Sequence, residues 1–181
     1  MVATLEDHMG CQFLPMSDVR SVEAAEFREA MRNLASGVAV VATGTETERR
    51  GLTVSSVTSL CMDPPCLLVG VNLTSETHDA ILATGRFGVS LLGDGQQDLA
   101  LRFAGRDGVK GVQRFETAAW EQGILDVPLL RSAIGALECV LHHHHVVGTH
   151  GLFIGRIVAT RGGKGDPLVN FKGALRTLPQ L

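Results

Sequence analysis

The chain has 181 residues, 45% hydrophobic and 19% charged, with a net charge of −3. That composition excludes disorder and allows one domain with a sizeable core, and without a Lys/Arg run it argues against nucleic acid as a partner. No apolar run approaches the roughly 20 residues of a bilayer span, Cys11, Cys61, Cys66 and Cys139 form no CxxC pair, and no basic-then-apolar leader opens the chain, so a soluble cytoplasmic protein with reduced thiols is expected.

Residues 1–20 show no sustained period and read as an arm, leaving 21–181 as the folded domain. Ala24, Phe27, Met31 and Leu34 then recur at helical steps, with Glu23 and Glu26 in the first turn and Gly37 beyond the end, which predicts an amphipathic helix from Ser21. Val38 to Thr43 is a short apolar strand, and the polar run Gly44 to Arg50 turns it back as a hairpin. The stretch Gly51 to Leu60 follows, half of its residues bearing hydroxyls (Thr53, Ser55, Ser56, Thr58 and Ser59), while Leu52, Val54, Val57 and Leu60 suit an extended strand lying on a core. Two readings fit it: an edge strand whose alcohols face water, or a strand whose short donors meet a phosphate or the edge of a planar heterocycle.

Pro64-Pro65 imposes an extended stop, and Cys66 to Val71 reads as a buried strand leading to Asn72, Thr74, Ser75 and Thr77. Thr77 is the expected cap of a short helix from His78 to Thr84, ended by Gly85, with free N–H groups facing any nearby anion. Phe87 to Leu92 is another apolar strand. Asp94 and Gln97 have the spacing of a capping box for a helix through Leu99, Arg102 and Phe103. Residues 105–132 are glycine-punctuated and mixed, an excursion with short pieces. Strands follow at Ala136 to Val147 and Leu152 to Thr160, then a glycine-rich turn at Gly162 to Gly165 and a tail around Pro167 to Leu178.

Short strands in hairpin-like succession with peripheral helices favour a mainly β, antiparallel barrel over a doubly wound sheet. Neither GxGxxG after a strand nor GxxxxGK[ST] occurs, so a nucleotide must be held by other means. With 21 glycines, one tryptophan and no tyrosine, a planar ligand must rest mainly on backbone and aliphatic surface. His150, in the glycine-flanked break Val147 to Gly151, is either a ligand contact or a turn residue capping backbone groups. The run His142 to His145 alternates faces in a strand, with neither Cys nor carboxylate close in sequence to complete a ligand set, so a half-solvated strand is preferred to a metal site. Arg102 and Lys172 are candidate anion contacts or solvated surface cations. No Ser-His-Asp or Cys-His signature supports nucleophilic catalysis.

Taken together, Phe27-Arg28, Ala35-Ser36-Gly37-Val38, Gly51-x-Thr53-x-Ser55-Ser56, Asp63-Pro64-Pro65, Gly85-x-Phe87-x-Val89-Ser90-x-Leu92, Gly148-Thr149-His150, Pro167-Leu168 and Lys172-Gly173 resemble the flavin reductase family, the reductase components of two-component flavin monooxygenases. The resemblance covers about 150 residues in several independent motifs. It implies an FMN-binding, Greek-key split barrel, a homodimer with FMN or FAD near the subunit interface, and hydride transfer from NADH or NADPH to flavin, with a monooxygenase as recipient. By position, Arg50, Gly51, Leu52, Thr53, Val54, Ser55 and Ser56 would wrap the isoalloxazine and ribityl chain. Gly70, Val71 and Asn72 would pass the ring or phosphate, and Glu76, Thr77 and Arg102 would lie at the phosphate end. His150 would sit beside nicotinamide and flavin as the catalytic position, and Phe171 would stack where relatives carry tyrosine. Thr149 stands where the family has aspartate, and Asn170, Phe171 and Leu175 where tyrosines are common. Some relatives reduce a cobalt corrinoid instead, and split barrels also serve as non-catalytic flavin- or haem-binding modules.

Overall fold

A computed structural model of the chain describes residues 19–178. Most of the expected arm, with Cys11, lies outside the described residues. The chain divides into Met1–Asn33 and Leu34–Leu181. The first unit holds helix α1 (Ala24–Met31), shorter at both ends than the spacing from Ser21 through Leu34 predicts; none of its residues is buried, and Phe27 and Met31 are exposed.

The second unit is built on a seven-stranded antiparallel sheet. Its strands are β2 (Ala39–Thr43), β3 (Arg50–Val54), β4 (Val57–Met62), β5 (Pro65–Asn72), β6 (Arg86–Leu91), β9 (Gly135–Val147) and β10 (His150–Gly162), ordered β3-β2-β6-β9-β10-β5-β4. The two edge strands, β3 and β4, are joined only by Ser55-Ser56. Six gaps of about 4.8 Å would hold flat edges roughly 29 Å apart, whereas three peptide links reach at most about 11 Å. The sheet therefore curls until its edges meet, and since no ladder joins β3 to β4 it is a split barrel. The connection from β5 to β6 passes over β10 and β9, the long return of a Greek key.

This corrects the expectation of one strand across Gly51 to Leu60. The chain breaks at Ser55-Ser56, and the second half belongs to the opposite edge, where Thr58, Ser59 and Leu60 are exposed. β2 shows why the sheet is stable where it is. All five of its residues are buried, with Ala39 and Val41 in the barrel interior beside Val69, Phe87 and Phe153, and Val40 and Ala42 in a second cluster with Phe103, Phe115 and Leu130. Period-2 alternation feeds two cores from one strand.

That second cluster is covered by α3 (Gln97–Phe103), a 3-10 turn (Gly111–Phe115), the ribbon β7 (Trp120–Gln122) with β8 (Pro128–Leu130), and a small sheet in which β11 (Leu168–Phe171) lies between β1 (Ser36–Gly37) and β12 (Ala174–Thr177). Helix α2 (Glu76–Thr84) follows β5. Its cap is Ser75, two residues before the expected Thr77: the Ser75 hydroxyl accepts from Thr77 N–H at 3.2 Å, and Gly85 closes the helix at φ 66°. Asp94 does not form the expected capping box. The carboxylate instead accepts from the Thr177 hydroxyl, 2.7 Å away, and α3 starts behind Gln96. Among the described residues no helix is long and apolar enough to cross a membrane.

Candidate functional site

At the meeting of β3, α2 and the 3-10 turn lies a cleft of about 270 Å³ lined by Arg50, Gly51, Thr74, Ser75, Glu76, Thr77, Lys110, Gly111 and Arg114. The start of α2 opens into it, and the partial positive charge of a helix N-terminus favours an anion there. Three cations reinforce it. Arg50 is held by the Glu76 carboxylate at 3.1 Å and donates to the Arg49 carbonyl. Arg114 donates to the carbonyls of Val109 (2.8 Å), Gly51 (3.1 Å) and Phe103 (3.4 Å), tying the loop 105–111 to β3. Lys110 and Arg114 are absent from the sequence-based residue set. Their four-residue spacing around Gly111 in an otherwise uncommitted loop was the available signal.

Beyond the cleft, β5 and β10 carry the site along the barrel. Asn72 and His150 are direct cross-strand partners, and Leu73 N–H donates to the Thr149 carbonyl, so the end of β5 and the β9–β10 turn form one ledge. Val147 pairs with His150, leaving Gly148 and Thr149 as a two-residue turn, with Gly148 at φ 56°. The Thr149 hydroxyl and His150 Nδ1 are 2.9 Å apart, which orients an otherwise exposed imidazole. The Asn72 carboxamide oxygen accepts from Thr74 N–H and hydroxyl, fixing the step from strand to helix.

Two of the alcohols in the hydroxyl-rich stretch are already engaged by the protein. Thr53 donates to the Ala100 carbonyl and Ser56 to the Gly70 carbonyl, at 2.7 and 2.8 Å. Ser55 is exposed beside them. Thr53 and Ser56 keep lone pairs, but their protons are committed. Val54 and Val71 are buried core residues, so only their main chain is free to meet a ligand. Gly51 is glycine for an internal reason: a Cβ would stand 2.9 Å from the Phe103 ring and 3.1 Å from Phe115. Gly70 lies under Ser56, where a Cβ would stand 3.1 Å from its hydroxyl oxygen.

The structure thus brings Arg50, Gly51, Glu76 and Thr77 to one cleft, sets Asn72 against His150, and joins Ser56 to Gly70. Two other candidates lie elsewhere. Arg102 on α3 pairs with Asp107 at 2.8 Å and lines a separate cavity of about 720 Å³ with Arg106, Asp98 and Thr117. Although partial burial works against it, Val109 N–H and Arg102 hold the Asp107 carboxyl below the usual range. Phe171 is on β11 of the small sheet, with Lys172 Nζ 5.5 Å over its ring.

The histidine run does divide between faces. His143 and His145 stack at 6.3 Å, while His144 turns toward α2 and lies 3.3 Å from His78, Nε2 to Nε2. Gly151 makes room, since a Cβ there would come within 3 Å of both rings. His78 Nδ1 is 2.9 Å from the Asp79 carboxylate. Burial, then His78 and His145, lower the His144 imidazole below its ordinary value. Among the described residues no three His, Cys, Asp or Glu side chains are grouped to hold a metal.

Residues 31–179 match the family described as flavin reductase like domain. The chain is 36% identical over 162 residues to a protein named FMN reductase (NADH) RutF from Pseudomonas syringae pv. syringae, covering 89% of this chain and 90% of that one. It is 38% identical over 155 residues to an NADH-dependent FMN reductase from Streptomyces nodosus subsp. asukaensis, with 84% of each covered. The crystal structure of the flavin reductase component of a bacterial two-component tryptophan halogenase superposes with a TM-score of 0.81 at 33% identity, covering 88% of this chain and all of that one.

Proposed function

The chain belongs to the flavin reductase-like domain family, and on that premise we propose that it is an NADH-dependent FMN reductase that supplies reduced flavin to a partner monooxygenase. The observation that carries this reading is the cleft at the start of α2, where Arg50, Lys110 and Arg114 face a helix N-terminus. Such a site suits a phosphate monoester. In this reading the FMN phosphate is held there, and the ribityl chain and ring follow the main chain of β3, Ser55-Ser56 and Gly70 to Asn72. Bound flavin supplies the hydride-accepting ring.

The protein's own contribution is position. Ser56 bonded to Gly70 keeps β4 and β5 in register beside the ring path, so the wall it rests on is rigid. Asn72 opposite His150 places a polar carboxamide and an imidazole at the open end, where His150 orients the nicotinamide by hydrogen bonding. Its exposure leaves room for a dinucleotide to enter and leave. No proton-transfer triad is required: the bound flavin would accept hydride directly, and the chain's own residues would serve to hold the two rings in contact.

A homodimer and a cytoplasmic location belong to the same reading. Exposed Val146 and Val147, beside His150, offer apolar surface for a second copy, and dependence on NADH suits the cytoplasm. Anaerobic titration with FMN, FAD and riboflavin, followed by NADH and NADPH, tests the assignment. FMN should quench on binding, bind more tightly than riboflavin, and bleach on addition of NADH. Equal affinity for FMN and riboflavin would remove the phosphate site, and no bleaching would remove the enzyme.

A further inference from the structure

At the far end of β5 from this site, Cys61 and Cys66 are direct cross-strand partners on the β4–β5 hairpin, next to the closing pair Met62 and Pro65. Directly opposed residues of an antiparallel pair have Cα atoms about 4.5–5.5 Å apart with side chains on one face. That lies within the roughly 4.4–6.8 Å spanned by a disulfide. Both cysteines are free thiols, Cys61 exposed and Cys66 buried. A cleft of about 340 Å³ opens over them, lined by Ser59, Met62, Pro65 and residues 157–160. Arg156 stands opposite Cys66 on the next strand, so Cys61, Cys66 and Arg156 form one row across β4, β5 and β10.

We propose that Cys61 and Cys66 are a peroxide-reactive thiol pair that closes reversibly into a cross-strand disulfide. The Cys61 thiolate attacks one oxygen of hydrogen peroxide, the O–O bond breaks, and sulfenic acid and water result. The Cys66 sulfur then attacks the Cys61 sulfur, forming the S–S bond and expelling the sulfenic oxygen as a second water. Two thiols lose two electrons and two protons, and one peroxide becomes two waters. The roles follow from position. Cys61 meets the solvent and reacts first, while burial and the neighbouring Cys61 thiol keep Cys66 protonated, with Arg156 opposing them. Cys139 is no competitor, because it is fully buried on β9 and burial pushes its thiol up to about 12.

This pair is independent of the flavin assignment, and its test needs no cofactor. Residues 51–86 form a single tryptic peptide holding both cysteines. Equimolar peroxide should remove two of the four thiols and lighten that peptide by two hydrogens, with dithiothreitol restoring it. Oxidation of exposed Met62 adds an oxygen instead and is read separately. Cys66→Ser should accumulate a dimedone-trappable sulfenic acid on Cys61, and Cys61→Ser should leave Cys66 reduced. In the unmutated protein, Cys61 sulfinic acid beside a free Cys66 would overturn the proposal. So would a Cys61-linked dimer on a non-reducing gel, or Cys61 and Cys66 both still reduced.

Discussion

Two cavities of the second unit each contain a pair of arginines, and only one of them has charge to spare. In the cleft at α2, Arg50, Lys110 and Arg114 face a single carboxylate, Glu76. In the larger cavity at α3, Arg102 and Arg106 face Asp98 and Asp107, and Arg102 is bonded to Asp107. Residue type does not distinguish these sites, nor does size, since the balanced cavity is the larger one. An arginine recognises an incoming anion when its own neighbourhood leaves it under-neutralised, and when backbone N–H groups point the same way. The α2 cleft meets both conditions.

The sharpest way to break the comparison is to remove Arg114. Arg114→Ala deletes a cation and leaves three backbone carbonyls without their donor. Denaturant unfolding should report a loss of about 2–4 kcal/mol, and FMN affinity should fall by more than about 10-fold. Next in size are Lys110→Ala and Arg50→Ala. Each should weaken FMN by about 10-fold while leaving riboflavin binding within about 2-fold, since one charge-assisted contact is worth about 1.5–3 kcal/mol. Arg102→Ala is the control from the balanced cavity and should change FMN affinity less than about 2-fold. Equal losses at Arg50 and Arg102 would erase the distinction.

The contrast was only half legible in the sequence. Hairpin spacing and apolar runs gave the antiparallel barrel, because period-2 burial is a local property of each strand. Barrel closure was hidden: Ser55-Ser56 carries neither Gly nor Pro to announce that the chain passes from one edge to the other. Pro167 to Leu178 reads as a tail in the sequence, yet it holds the hairpin of β11 and β12. Its turn is Lys172-Gly173, with both residues at positive φ (53° and 75°), and lysine does not advertise that conformation. Asp94 and Gln97 had capping-box spacing, yet Thr177, 83 residues away, takes the carboxylate, a tertiary contact no local pattern contains. The pairing of Arg102 with Asp107 was hidden because Asp107 sits in a loop whose course the sequence does not trace.

A smaller effect concerns the helix that gives the cleft its polarity. Ser75→Ala removes the side-chain acceptor of Thr77 N–H and should destabilise the protein by about 1 kcal/mol. Because α2 starts in the cleft, FMN affinity should fall about 2- to 5-fold with it. Ser132→Ala, at the rim of the balanced cavity, loses only one of two contacts to Gln96 and should leave FMN binding unchanged. Isothermal titration of both variants reads the difference directly.

The smallest expected effect is a pH slope from the first turn of α2, where His78 and His144 meet. His144 is lowered by burial first, then by His78 and His145, and Asp79 beside His78 is the nearest opposing charge. With the folded value below that of the unfolded chain, near about 6.5, the unfolded state binds more protons whenever the pH drops below it. The stability linked to His144 is therefore fully present above that unfolded value and is lost as the pH falls from there through the depressed folded value. Thermal unfolding between pH 8 and pH 5 should show a declining midpoint that begins near neutrality. His144→Gln, which keeps a polar partner for His78 but cannot titrate, should flatten that segment while leaving FMN affinity at pH 8 unchanged. An unaltered slope in His144→Gln would assign the acid sensitivity to other groups and detach the His78–His144 contact from any role in pH response.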